Sequence, residues 1–356
     1  MYETNLHYNQ LALLWHLARF NLLHYEDCLE LLKTPDKVEQ KELSYTFRPL
    51  TKNGYVSKSR DGRVSILVKG RALYPEVTPL ISTGGGEQER RRVMQVSRMA
   101  MWMAEHGFYA EERPGEKVVF IPSARWRNIA PGILSTSRFV GMLAGSGQRL
   151  AVYDIGDGRM DWQVRAENSL FYTKYGSYET RATGMLLVCQ EDKRVEVAQN
   201  IIRQTMWSRK QLLKDHCAER NRPTRWSRSP IKLRAQYEHV YLTTRSGLGK
   251  SFVNIVREKN RIKDLREEEG SRVSAPDGAD IELWPRRLYF NAATDLLKYV
   301  RFFAAVKDDT HAREEIEQYT GGIQYELYTR AEDDAIAHMY PDVNKAEGAV
   351  FHVYQR

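Results

Sequence analysis

The sequence predicts an α/β protein in two parts: a small N-terminal unit of three helices and a β-hairpin, then a layered α/β domain. Three observations carry this. Apolar residues recur at helical spacing up to Leu50, and an Asp-Gly turn between two β-prone runs follows. Ser82-Thr83-Gly84-Gly85-Gly86 interrupts the chain as a linker. Beyond it, strand-length apolar runs alternate with longer helix-like runs, the pattern of a largely parallel sheet. The chain of 356 residues is therefore divided into 1–80, a linker and connecting helix over 81–110, and an α/β domain over 111–356.

The first helix is read from Leu11, Leu13, Leu14, Leu17 and Ala18, which share one helical face. A second short helix fits Tyr25 to Leu32. Asp36 is placed to cap a third helix, with Glu39 three residues on as in a capping box. In that helix Leu43, Phe47 and Leu50 point one way, and Lys37, Gln40, Lys41, Ser44, Tyr45 and Arg48 the other. Asn53-Gly54 is a stop signal, although Pro49 is expected to end the helix early, near Arg48. Tyr55 to Ser59, then Arg60-Asp61-Gly62-Arg63, then Val64 to Val68 read as a hairpin.

Helix, helix, helix, hairpin is the order of a winged helix-turn-helix domain. The run L-x-x-x-F-x-x-L-x-x-x-G-Y-V, then R-D-G-R, then a strand ending in K-G, resembles that family over roughly Leu6 to Tyr74. The resemblance implies that the third helix enters a major groove and that the hairpin tip meets the backbone. Lys37, Gln40, Lys41, Ser44, Tyr45 and Arg48 would then face duplex DNA, with Arg60 and Arg63 on the wing. Charge agrees with this: Lys37 to Arg71 holds nine Lys/Arg against three Asp/Glu, and phosphate contacts need cations. A winged helix used only for protein contacts is the alternative.

After the glycines, Glu87 to His106 reads as a helix with Val93, Met94, Met101 and Trp102 as its apolar content. It is a candidate for homodimer formation, since the helix after the wing dimerises several winged-helix regulators. Strands are expected at Val118 to Ile121, Leu150 to Ile155, Met185 to Cys189, His239 to Thr243 and Leu288 to Asn291. Helices are expected at Val195 to Lys214, Phe252 to Lys263 and Asp295 to Val306, with added edge strands at Ile323 to Thr329 and Val350 to Tyr354.

Thr244 to Ser251, T-R-S-G-L-G-K-S, approaches the phosphate loop G-x-x-x-x-G-K-[ST]. Gly249, Lys250 and Ser251 supply its end, and Thr244 stands where the first Gly belongs. No apolar strand ending in Asp follows to hold Mg²⁺. A nucleotide hydrolase, a minor phosphate contact and a structural turn all remain open. A second acidic constellation is Asp154 with Glu191 and Lys193, an acid on one strand and E-x-K after the next. A restriction-type nuclease core uses this to hold Mg²⁺ and orient water, which makes a degenerate core of that kind one reading of the α/β domain. A solvated acidic turn explains the same residues, so neither a metal site nor a cofactor is assigned, with Mg²⁺ required only for a nuclease.

The net charge is +8 and the pI about 9.2, which suits an acidic partner. Arg203 to Arg234 alone holds ten Lys/Arg against two Asp/Glu. Within it, Arg209, Lys210, Arg222, Arg225, Trp226 and Arg228 form a basic tract that Pro223 and Pro230 keep from being regular helix. Such a tract can hold phosphates while Trp226 stacks on an unpaired base, or it can be a solvated face. Cys28, Cys189 and Cys217 make no paired motif, which fits a reducing cytoplasm. No apolar run approaches the ~18 residues of a membrane span.

A winged helix followed by an α/β domain with nuclease-like acids resembles the plasmid replication-relaxation proteins of bacterial mobile elements. That resemblance implies a DNA-binding accessory or initiator protein in replication, relaxation or conjugative transfer, with other transfer proteins as partners. The competing classes are a Mg²⁺-dependent nuclease and a transcription regulator whose α/β domain senses a ligand.

Overall fold

The computed structural model describes residues 6–34, 37, 39–79, 86–108, 118–123, 125, 139–145, 148–156, 184–203, 239–250, 279, 281–283, 287–292, 295–315 and 323–354. It is a mixed helix-and-sheet chain that divides into two compact units, Met1–Ala144 and Gly145–Arg356.

The first unit opens with α1 (Tyr8–Phe20), β1 (Leu22–His24), α2 (Tyr25–Leu31) and α3 (Gln40–Lys52). The hairpin strands β2 (Val56–Lys58) and β3 (Arg63–Ile66), the short α4 (Val68–Arg71) and α5 (Glu87–Glu105) follow. β1 was not foreseen. Its three residues pair antiparallel with β3 and give the order β1-β3-β2. Leu13, Leu14 and Leu17 of α1, Leu23 of β1, Leu43, Phe47 and Leu50 of α3 and Val56 and Val64 of the hairpin form one buried cluster.

α3 differs from expectation at both ends. It starts at Gln40, with Glu39 at the cap position making no side-chain bond, whereas Asp36 lies outside the described residues. Pro49 does not end it. The helix runs one more turn, because stopping at Arg48 would leave Leu50, which is fully buried, outside the core. Burying a Leu stabilises by about 1.5–3 kcal/mol, which offsets most of the proline cost. The stop comes at Asn53-Gly54, as the residues require. Gly54 N–H donates to Thr51 O at 3.1 Å and Tyr55 N–H to Leu50 O at 2.9 Å, with Gly54 at φ 72°, which is a Schellman ending.

α5 is not a free connecting helix. Met101 joins the buried cluster of the first helices. His16 Nε2 of α1 lies 3.0 Å from Ser97 Oγ, and Arg98 pairs with Asp27 of α2 at 3.2 Å. Val93, Val96, Met99, Met101 and Met103 are all buried. Most apolar residues of the expected dimer helix are therefore inside its own unit, with Met94 and Trp102 half-buried, and the helix stays with the first unit across the expected 80/81 boundary. The same unit carries β4 (Val118–Pro122) and its neighbour β5 (Phe139–Gly145). β5 had not been expected.

The second unit holds β6 (Gln148–Gly156), β7 (Gly184–Cys189) and β8 (His239–Thr244), adjacent and parallel in that order. α6, residues 194–203, follows β7. A further sheet runs β12-β11-β10-β9, from β9 (Ile281–Leu283), β10 (Arg287–Asn291), β11 (Gln324–Arg330) and β12 (Ala349–Tyr354). Its β10, β11 and β12 are parallel and β9 is antiparallel. β11 was expected at an edge and is internal, because β10 and β12 both pair with it, one on each side. The helix α7 (Leu296–Glu315) touches β8, β10 and β11. Its first turns (Leu296, Tyr299, Val300, Phe302, Phe303) are buried around most of the circumference, as a helix set between layers must be. Among the described residues no helix is long and apolar enough to cross a membrane.

Candidate nucleic-acid interface

α3 is a helix with two unlike faces. Leu43, Phe47 and Leu50 are buried, while Lys41, Tyr45, Arg48 and Lys52 are exposed. The exposed four sit at i, i+4, i+7 and i+11 and therefore form one stripe along the helix. Lys37 and Gln40, also exposed, lead into it. Tyr45 is 56% exposed, a large aromatic held out in water. Lys41, Arg48 and Lys52 have no carboxylate partner among the described residues. Lys52 was missed by the sequence reading, although its spacing from Arg48 carried the signal.

Ser44 is not part of that stripe. It is half-buried, accepts a hydrogen bond from Tyr25 Oη at 3.1 Å and donates to Gln40 O at 3.0 Å. Tyr25 in turn meets Phe47 edge-on at 5.0 Å and carries Lys58 Nζ 3.1 Å above its ring centre. One tyrosine thus ties α2, α3 and the hairpin into a fixed mutual orientation.

The hairpin tip is the turn Ser59 to Arg63. Gly62 N–H donates to Ser59 O at 3.1 Å, and Gly62 takes φ 81° beside the His24 ring, where a Cβ would come within 2.9 Å of Nε2. Arg60 is exposed at this tip. Arg63, the other expected wing cation, is already engaged. It pairs with Asp61 and, at 2.6 Å, with Glu87 at the start of α5. Hydrogen bonds to Asp61 and then Glu87 raise the Arg63 pKa, and those from Ser59 and Arg63 draw Asp61 down to about 2. Arg63 is thus already paired with two exposed carboxylates, and an anion reaches it only by exchanging those pairs.

Arg209, Lys210, Arg222, Arg225, Trp226 and Arg228, the residues chosen from the basic tract, lie outside the described residues, as does Ser251.

The acids of the second unit lie at the ends of adjacent parallel strands, Asp154 near the end of β6 and Glu191 just after β7. Asp154 is on β6, where its Oδ1 accepts from Gly156 N–H at 3.2 Å across a bulge. Glu191-Asp192-Lys193 is a 3-10 turn and not a strand, so E-x-K does not place its two side chains on one sheet face. Lys193 turns to Glu196 at 3.3 Å. Glu191 bonds the Thr244–Lys250 loop: Ser246 N–H donates to its Oε1 at 2.8 Å and Ser246 Oγ to its Oε2 at 3.0 Å. Burial raises the Glu191 pKa, but these bonds and one from Thr244 outweigh it and lower the pKa. Among the described residues there is no group of three His, Cys, Asp or Glu able to hold a metal ion.

The same contact bears on the loop. A phosphate loop turns free backbone N–H groups toward the anion. Here Ser246 N–H is taken by Glu191, and Gly247 N–H donates to Thr244 Oγ1 at 3.3 Å. Thr244, in place of the first glycine, thus serves as an internal acceptor. Gly249 and Lys250 belong to the helical turn that begins at residue 248. Among the described residues the α3 stripe is the most developed site. No protein-family description, curated protein or solved structure matches the chain.

Proposed function

We propose that this protein binds duplex DNA through its first unit, a winged helix in which α3 enters the major groove and Arg60 meets the sugar-phosphate backbone. The observation that carries this reading is the exposed Lys41–Tyr45–Arg48–Lys52 stripe on a helix anchored by Leu43, Phe47 and Leu50. A 13-residue helix is about 20 Å long and about 10–12 Å across with side chains, which suits a groove about 12 Å wide. Cations without internal partners favour the complex by displacing condensed counterions, and they lose nothing internal on binding.

The test is fluorescence anisotropy with duplex DNA over a salt series. Replacing Lys41, Arg48 and Arg60 by Ala is expected to weaken binding at every sequence and to reduce the slope of log K against log salt by about 2–3. Unchanged affinity with an unchanged slope would overturn the reading.

A role as accessory or initiator protein in replication, relaxation or conjugative transfer of a mobile element rests on the resemblance of a winged helix followed by an α/β domain to the plasmid replication-relaxation proteins. Selection from a random duplex pool tests that role. One enriched site supports it, and even recovery of all sequences counts against it.

A further inference from the structure

On the side of the first unit's sheet that faces away from its core lies a cleft of about 370 Å³. Strand register explains its floor. Leu22, Ser65 and Ser57 are opposed across β1, β3 and β2, and alternation points them away from Leu23, Val64 and Val56, which are buried in the core. Three elements contribute an arginine to the lining: Arg63 from β3, Arg71 from α4 and Arg90 from α5, with Asn21, Ser59 and Ile66 completing it.

The walls differ in what they have free. Arg71 donates to Ala18 O at 3.2 Å and to Asn21 Oδ1, which uses part of its five donors and fixes its position. Asn21 takes φ 66°, the one non-glycine residue at positive φ among those described. Arg63 is held by Asp61 and Glu87, both about half exposed, so an incoming anion exchanges weak surface pairs. Arg90 meets no carboxylate among the described residues. Ser57 Oγ and Ser65 Oγ are hydrogen-bonded to each other at 2.7 Å, which leaves one of the two hydroxyls to donate on the floor.

We infer that this cleft binds a small phosphorylated molecule of mononucleotide size. Guanidiniums from three separate elements suit a phosphate, whose three terminal oxygens accept from several directions, better than a planar carboxylate. The volume is within the range of small-molecule sites and exceeds what a lone phosphate needs. The cleft shares Ser59 and Arg63 with the hairpin tip but takes no residue from α3, where the other proposed DNA contacts lie, so the inference does not rest on DNA binding.

Calorimetric titration of the full chain tests it, with inorganic phosphate, AMP and uncharged adenosine as probes. Saturable binding is expected for AMP and, more weakly, for phosphate, with none for adenosine. Arg90→Gln, which removes one charge-assisted contact, is expected to weaken AMP binding about tenfold or more. Ser65→Leu, which fills the floor, is expected to abolish it. Arg90 is on the surface, so its variant reports on the site even where Ser65→Leu disturbs folding. The inference is overturned by absence of saturable AMP binding, or by binding that Arg90→Gln leaves unchanged. It is equally overturned if Arg90→Gln weakens duplex DNA while AMP fails to bind, because the cleft is then a backbone contact. Loss of DNA binding in the Lys41, Arg48 and Arg60 variant with AMP binding retained supports two separate sites.

Discussion

His16 lies in the seam between α1 and α5, with Nε2 3.1 Å from the Ser97 carbonyl oxygen and 3.0 Å from its hydroxyl. A carbonyl only accepts, so that ring nitrogen carries the proton. Burial lowers the His16 pKa from 6.5 to about 4, more than the bond to Ser97 raises it. Between those values the unfolded chain is protonated and the folded one is not, so stability is complete above about 6.5 and falls as the pH drops toward 4. The loss across this window is roughly 3 kcal/mol. Urea titrations at several pH values should show it, and His16→Asn should flatten the slope. Residue identity was only partly informative here. Lys41, Tyr45 and Arg48 could be assigned to a surface because helical spacing sets them opposite Leu43 and Phe47. That Arg63 is tied to Glu87, 24 positions away, is a matter of three-dimensional proximity which no local pattern encodes.

At the scale of elements, helix periods and turn residues were the readable signals. α1, α2 and α3 follow from apolar spacing, and the hairpin from Asp61-Gly62. β1 escaped because three residues, Leu22 to His24, are too few to show an alternation, and it becomes a strand only by pairing with β3. Pro49 was misjudged because propensity is local whereas the pull on Leu50 comes from the whole core. Pro49→Ala should therefore stabilise the first unit by about 1 kcal/mol or more, through a restored backbone bond to Tyr45 O, with the urea midpoint as the measure. Gly54→Ala should act in the opposite sense, by about 1–2 kcal/mol, since φ 72° strains any side chain although the space around it is open. A midpoint that Gly54→Ala leaves unmoved would mean that the α3 ending is not as described.

Across the whole molecule, burial of charge separates the two units' vulnerabilities. In the second unit Arg194, just after the β7 strand, pairs at 2.5 Å with Asp333, which is 1% exposed. Burial raises the Asp333 pKa, and Arg194 opposes that rise. Arg194→Ala would leave a buried carboxylate uncompensated, at a cost of about 3–5 kcal/mol. Hydrogen exchange should place the loss in β11, β10 and α7 and leave α1 to β3 protected. Uniform loss across both units would contradict the division at Ala144.

The amino-acid order alone determined which segments of the first unit are helix or hairpin, which side of α3 is cationic, and that helix and sheet are mixed beyond the glycines. These follow from period, turn chemistry and charge, which act over a few residues. Tertiary structure alone decided that α5 belongs to the first core, that Glu191 fills the loop it was expected to work beside, and that three arginines share one cleft. Each of those joins residues far apart in the chain, and only packing of the folded backbone brings such groups within bonding distance.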